Sequence, residues 1–270
     1  MSKDKMNMLI LSCDNFSDLW DGHVKLLERH WSNRNMKTYI VTECGDETKH
    51  YKNVEILAAG QNTEWSERLA HALELIDVQY VFITLDDYFL IEDVSNEKIQ
   101  YLVDLMDKEA LDYIRLYPRP KRATRGLVEG TKNINWIDTT EKYSVNLYSS
   151  IWRKEFLLAM LKKKKNAWQF EVCLPKDATQ YGARCAVSHL NEFVILDVVR
   201  KGKLLHKSAK YLRKHPDLYC GNREVQPWSY EIKLGIKTMV GRHTPKWLYT
   251  VIRGTMKKLG FKFVSDDPGE

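Results

Sequence analysis

The residues with the clearest capacity for chemistry are Asp86 and Asp87, adjacent carboxylates at the end of the apolar run "YVFITL" (80–85), followed at once by Tyr88, Phe89 and Leu90. Two like charges side by side repel, and each loses hydration when covered. A cation, a cap, or exposure at a turn would offset that cost. Paired carboxylates supply hard oxygen ligands for Mg²⁺ or Mn²⁺. A metal held there bridges substrate phosphates and neutralises a diphosphate leaving group without moving a proton. The plainer alternative is a turn or helix cap, where Asp is common.

What the pair does depends on the elements that carry it. "MLILS" (8–12), "TYIVT" (38–42), "VEILAA" (54–59) and "YVFITL" read as four strands, the last continuous and apolar as in a central strand covered on both faces. Between them, "FSDLWDGHVKLLERHW" sets Trp20, Val24, Leu27 and Trp31 on one helical face, and "WSERLAHALELI" does the same with Trp65, Leu69, Ala72 and Ile76. Ser95 caps a further helix running to about Asp107. Strands alternating with helices predict an α/β fold with a doubly wound, mostly parallel sheet and helices on both faces, whose ligands bind at the carboxyl ends of the strands. Ser12–Asn15, Glu43, and Asp86 with Asp87 then gather along one polar edge, a natural place for a nucleotide. "SCDN" also reads as an N-cap for the helix after it.

The second half is less regular. "YSVNLYSSIW" (143–152) reads as a strand, "RKEFLLAMLKKKK" as a helix with a solvated basic end, and "FVILDVVRKGKL" as a mixed stretch. Residues 224–263 carry eight Lys/Arg against two Glu, within a chain of net charge +6. That predicts a C-terminal extension (224–270) seeking an anionic surface, after one catalytic-type domain (1–223). Two amphipathic segments are expected in it, at 228–240 and 246–259, with Trp228, Tyr230, Trp247 and Tyr249 suited to a membrane interface.

With 270 residues, 44% of them hydrophobic, the chain is long enough for a substantial core. Its five cysteines are scattered, without a CxxC pair, which argues against a disulfide framework and a zinc knuckle and fits a reducing cytoplasm. The N-terminal apolar run is too short for a signal peptide, and no stretch reaches the roughly 20 apolar residues of a membrane span. No GxSxG, Walker loop or GxGxxG occurs, so nucleophilic serine chemistry and dinucleotide cofactors are disfavoured.

The order "LSCDNFSDLW", "YIVTE", "WSERLAHALELI", "YVFITLDDYFL" and "NAWQFE" resembles the GT-A class of nucleotide-sugar glycosyltransferases, across about residues 6–205, and is similar to bacterial members found with surface-polysaccharide genes. "LDDYF" occupies the place of that class's Asp-x-Asp metal motif, but with adjacent aspartates, which leaves open which one meets the metal. The resemblance implies a donor site in which Ser12, Asp14 and Asn15 border base and ribose, with Glu43 nearby. Arg68 either pairs with the diphosphate or makes a surface salt bridge with Glu64 or Glu67. It also implies a catalytic base: Glu171 follows Trp168 and Phe170, an aromatic pair able to form a sugar platform, although the same stretch also reads as an amphipathic helix with Trp168 in the core. His206 is a candidate third metal ligand, and Arg115 and Tyr117 in "DYIRLYP" are candidates to face the acceptor.

The resulting expectation is a Mn²⁺- or Mg²⁺-dependent, inverting hexosyltransferase of capsule or related glycan assembly. Its donor is a nucleotide sugar, a UDP-sugar first among the candidates, and its acceptor a glycan or polyprenyl-linked sugar. The expected location is cytoplasmic, with the tail on the inner face of the membrane. The rival readings are an inactive membrane-associated scaffold and, with no recognisable motif behind it, a nucleic-acid-binding module.

Overall fold

A computed structural model describes residues 5–218 and 220–243, together with residues 252, 254 and 255. The chain divides into two compact units, the first made of residues 1–196 and 217–221, the second of 197–216 and 222–270. The division therefore falls at 197, earlier than the boundary at 224 expected from charge alone. The cause lies in the pairing of segments on either side of 224 described below.

The first unit opens with β1 (Met6–Leu11), a 3₁₀ turn (Asp14–Leu19) and α1 (Trp20–Trp31). Then come β2 (Thr38–Thr42), β3 (Glu55–Ala58), α2 (Trp65–Glu74), β4 (Tyr80–Leu85), β5 (Tyr88–Leu90) and α3 (Asn96–Lys108). The remainder comprises β6 (Tyr113–Arg115), β7 (Thr124–Leu127), β8 (Ile134–Ile137), β9 (Ser150–Arg153), α4 (Lys154–Met160), α5 (Ala167–Tyr181), β10 (Cys185–Ser188) and β11 (Ile195–Asp197).

Nine strands form one sheet in the order β3-β2-β1-β4-β9-β6-β10-β8-β7. β1 pairs in parallel with β2 and β4, β2 with β3, and β6 with β10, while β9 and β8 run against their neighbours. The expected doubly wound, mostly parallel α/β sheet is what the chain forms. Its two covered faces follow from period-two alternation. Met8 and Ile10 of β1 and Tyr80 and Phe82 of β4 join a core with Trp20, Leu27 and Trp31 of α1 and Leu102 and Met106 of α3. Leu9, Leu11, Val81 and Ile83 point the other way, to Leu69 and Leu73 of α2, Phe156 of α4 and Phe170 and Leu174 of α5.

Two segments differ from expectation. Of 143–152, only residues 150–152 are strand, the start of β9. Residues 143–149 turn away because Val145 and Leu147 enter the second core while backbone groups around them bind side chains of other elements, described below. "LKKKKN" is not all solvated: Lys165 is buried and pairs with Asp177 at 2.7 Å, and Lys164 meets Glu67 at 2.7 Å.

The second unit holds the hairpin β12 (Val199–Arg200) and β13 (Lys203–Leu204), then α6 (His206–Lys214) and α7 (Trp228–His243). Leu204 bridges to Val225, and Gln226 Nε2 donates to Arg200 O at 2.5 Å, which ties 224–226 to the hairpin and moves the boundary. Of the two expected amphipathic segments, α7 covers the first. The second, with Trp247 and Tyr249, lies outside the described residues apart from residues 252, 254 and 255. Among the described residues no helix is long and apolar enough to cross a membrane.

Candidate functional site

β1, β2 and β4 end side by side, so the residues that follow them must share one edge. Asp86 N donates to Leu11 O at 3.2 Å, extending the β1–β4 ladder by one step and fixing the backbone of the first aspartate. Its side chain is only 7% exposed. Ser12 Oγ donates to Asp86 Oδ2 at 2.5 Å and accepts from Trp20 Nε1 at 2.7 Å, a relay that sets the carboxylate's orientation. From the other side His23 Nδ1 donates to Asp86 O at 3.1 Å. Burial, with the charge of Arg34 adding to it, pushes the His23 imidazole down to about 4, so it is neutral at physiological pH.

Asp14 does not cap the helix after it. Its carboxylate turns back to the end of β2, accepting from Thr42 Oγ1 at 2.7 Å, Gly45 N at 3.0 Å and Cys44 N. Gly45 makes this possible: its φ of +84° bends the chain so that successive amides face the acid. Burial pushes the Asp14 carboxyl up, but these hydrogen bonds outweigh it and hold the group below the usual carboxylate range. Asp14 N donates to Glu43 Oε2 at 2.6 Å, and Glu43 Oε1 meets Arg68 Nη1 at 2.7 Å. Arg68 therefore pairs neither with Glu64 nor with Glu67, which instead form the capping box of α2. Burial, then the charges of Asp86 and Glu43, pushes the Cys13 thiol up to about 11, so it is no nucleophile at this edge. Asn15 is exposed beside it. Ser12 with Asp86, and Asp14 with Glu43 and Arg68, thus form two polar groups along one edge, and α2 enters the second through its first turn.

Asp87 differs from its neighbour in being half-buried, in the two-residue turn between β4 and β5. Beyond it an aromatic series begins. Tyr88 stacks on Tyr148 (centroids 5.8 Å, 15°), and Tyr148 lies against Tyr117 (4.6 Å). Next to Tyr148, Leu147 N donates to Glu171 Oε1 at 3.2 Å. The sequence distance from Asp87 to Glu171 is thereby closed through Tyr88, Tyr148 and Leu147. Glu171 and Trp168 are half-buried on α5, which opens with an Asn166–Gln169 capping box. Phe170 is no sugar platform: two residues on from Trp168 along a helix, it faces the core, fully buried against Trp65 at 5.0 Å.

Arg115 is also fully buried, so it presents no guanidinium surface to an acceptor. Its Nε donates to Tyr117 O at 2.8 Å and its Nη1 to Ser144 O at 2.5 Å. His206 belongs to the second unit. It opens α6, stacks on Trp228 (3.6 Å) and meets Glu231 Oε1 through Nδ1 at 2.7 Å. Its ring is thus engaged within its own unit. Among the described residues no three His, Cys, Asp or Glu side chains gather as a metal cage. A Mg²⁺-type site does not need one, since one or two carboxylates completed by substrate phosphates suffice. Asp86 and Asp87 fit that donor set.

The sequence assigns no role at this edge to His23 or Thr42, and gives Trp20 only a place on an apolar helix face. A histidine on an apolar helix face and a tryptophan at a helix start carry no local sign that their nitrogens serve residues some 60 or 8 positions away.

No family model and no curated protein matches the chain. Solved structures do match its fold. A mannosyltransferase from Pyrobaculum calidifontis in complex with GDP-Man and Mn²⁺ aligns with a TM-score of 0.49 and 10% identity, over 74% of this chain and 59% of that one. Residues 1–349 of S. aureus TarS in complex with UDP give 0.46 and 10%, over 70% and 59%. A UDP-glucose pyrophosphorylase complexed with UDP-glucose gives 0.45 and 10%, over 71% and 91%. The chain spans 52% of the bifunctional IspDF of Campylobacter jejuni, which it matches with 0.42 and 17%. At such identities and scores the likeness is one of backbone course alone.

Proposed function

We propose that this chain is a nucleotide-sugar-dependent glycosyltransferase, moving a sugar from a nucleoside-diphosphate donor to a glycan or lipid-linked acceptor of surface-polysaccharide synthesis. The observation that carries the reading is the contact of Ser12 with Asp86 and of Glu43 with Arg68 at the joined ends of β1, β2 and β4. Polar groups held at the carboxyl edge of a parallel sheet form a nucleotide site in such folds.

In this reading Asp14, Asn15 and Glu43 border the base and ribose, and Arg68, held by Glu43 and Thr63 O, pairs with the diphosphate. Asp87, the more exposed aspartate, and Asp86 would hold Mn²⁺ or Mg²⁺, which supplies charge neutralisation at the departing diphosphate. Trp20, Ser12 and His23 keep Asp86 in place. Glu171, oriented by the Leu147 amide, takes the proton from the acceptor hydroxyl as the bond from its oxygen to the anomeric carbon forms and the bond to the diphosphate oxygen breaks, with inversion. Trp168 and Tyr117 flank the acceptor. His206 is left to the second unit. There α7 exposes Trp228, Ile232 and Met239 with Lys233 among them, which supports the reading of a unit resting on an anionic membrane face.

Calorimetry of a panel of nucleotide sugars with Mn²⁺, repeated in EDTA, tests the proposal. One donor is expected to bind and, with acceptor, to release nucleoside diphosphate. Turnover of a nucleoside triphosphate with a sugar or sugar phosphate, releasing pyrophosphate, and none of a nucleotide sugar with acceptor would reassign the chain to nucleotidyl transfer, and binding without turnover would favour a scaffold.

A further inference from the structure

Residues 113–127, "YIRLYPRPKRATRGL", contain five basic residues and no acid. One of them, Arg125, is answered by Asp138 and Glu141. Arg115 is not. It is fully buried at the carboxyl end of β6, bound to two carbonyl oxygens, and its Nη2 has no hydrogen-bond partner. The groups acting on its charge are Tyr113, Tyr148 and Cys185, with no carboxylate among them. Burial pushes Tyr113 and Cys185 up, so both are neutral and offset nothing. An uncompensated guanidinium in a protein interior costs several kcal/mol in general, and natural sequences keep one where something answers it.

More positive charge surrounds it. β10 lies parallel to β6 with Val187 opposite Arg115, so His189 leaves the sheet at the same edge. Burial, then the charges of Arg115 and Lys121, pushes His189 down, so both charges reach His189. Arg119 lies over the Tyr117 ring at 5.9 Å. Tyr117 and Tyr148 form the start of the aromatic series that leads back to Tyr88 and Asp87.

We infer that the carboxyl edge of β6 and β10 binds an oxyanion, a phosphate or carboxylate, held against Tyr117 by Arg119, Lys121 and His189 and balanced from within by Arg115. An oxyanion carries the charge that the edge lacks and accepts the donors it offers. Resting on the transferase reading, this makes the acceptor an anionic one, bearing a phosphate or acidic sugar next to the hydroxyl that is glycosylated.

Inorganic phosphate added to the full-length chain, against sodium chloride at equal ionic strength, tests this by thermal melting and by NMR of the histidines. The expected result is a phosphate-specific rise in Tm together with an upward move of the His189 pKa. The double variant Arg119→Gln/Lys121→Gln should weaken the apparent phosphate Kd by about tenfold or more, as two charge-assisted contacts are lost. Arg68→Gln and Asp87→Asn should leave it unchanged. A phosphate effect no larger than that of chloride overturns the inference. So does an effect lost with Arg68→Gln and kept in the double variant, since phosphate would then be standing in for the donor diphosphate. Nucleotide binding is read separately: a chain that binds phosphate here but no nucleotide would break the transferase reading and leave this site standing.

Discussion

Two stretches of the same sheet edge treat charge in opposite ways. At the ends of β1, β2 and β4 three acidic groups have a named partner: Asp86 with Ser12, Asp14 with the amides after β2, Glu43 with Arg68. After β6 the exposed Arg119 and Lys121 are basic and no carboxylate acts on the buried Arg115, the carboxylate of Glu192 being engaged by Ser188 instead. The first stretch is organised before any ligand arrives, so binding there spends little on ordering side chains. The second stretch is strained by its own field and gains from an incoming anion. In the proposed reading the first stretch is the donor edge and the second the acceptor edge of a transferase in which two substrates meet.

The comparison breaks most visibly at Asp87. Asp87→Asn should reduce turnover by about 100-fold or more while circular dichroism and Tm stay near wild type, because the partly buried side chain is assigned to the ligand rather than to the fold. Asp86→Asn should lose comparable activity and also some stability, because it is tied to Ser12. Equal stability losses in the two variants would erase the distinction drawn between them.

Acid should loosen the first stretch before the second. His23 is held neutral, with its pKa pushed down to about 4 from an ordinary 6.5. The unfolded chain therefore binds a proton that the folded one refuses, so this contribution is whole above pH 6.5 and is lost as pH falls towards 4. The loss is on the order of 3 kcal/mol for a shift of this size. Urea melts of wild type and His23→Gln between pH 7.5 and 4.5 should converge as the pH falls; parallel curves would show that His23 is not the group responsible.

Arg68→Met should cost about 1–2 kcal/mol, since it strands Glu43 in a partly covered site, and should weaken nucleotide binding as well. The smallest effect is expected on the second stretch. Arg119→Gln/Lys121→Gln should leave stability within about 0.5 kcal/mol or raise it at low salt, because it removes repulsion and breaks no ion pair. A destabilisation as large as that of Arg68→Met would mean that both stretches are satisfied and that the contrast fails.

The elements of the first half are legible because their periodicities are strong. "YVFITL" alternates between two cores, and Ser95 caps α3 by accepting from Lys98 N, as its type predicts. The sharing of one edge by Ser12, Asp14, Glu43 and Asp86 is legible too, since topology alone brings strand ends together. The partnerships are not. Whether Arg68 meets Glu64, Glu67 or Glu43 depends on the rotation of α2 against β2, which no local pattern encodes. The 143–149 segment alternates like a strand, yet its backbone is claimed by Arg115 through Ser144 O and by Glu171 through Leu147 N. Such long-range side-chain contacts override local propensity.

The most direct test is a crystal soaked in Mn²⁺ and a nucleoside diphosphate, with anomalous data collected at the manganese edge. The predicted result is one strong peak within coordinating distance of an Asp87 oxygen and of both phosphates, with the base near Asp14. Density for the nucleotide elsewhere, or a bound nucleotide with no manganese at the β4–β5 turn, would contradict the account.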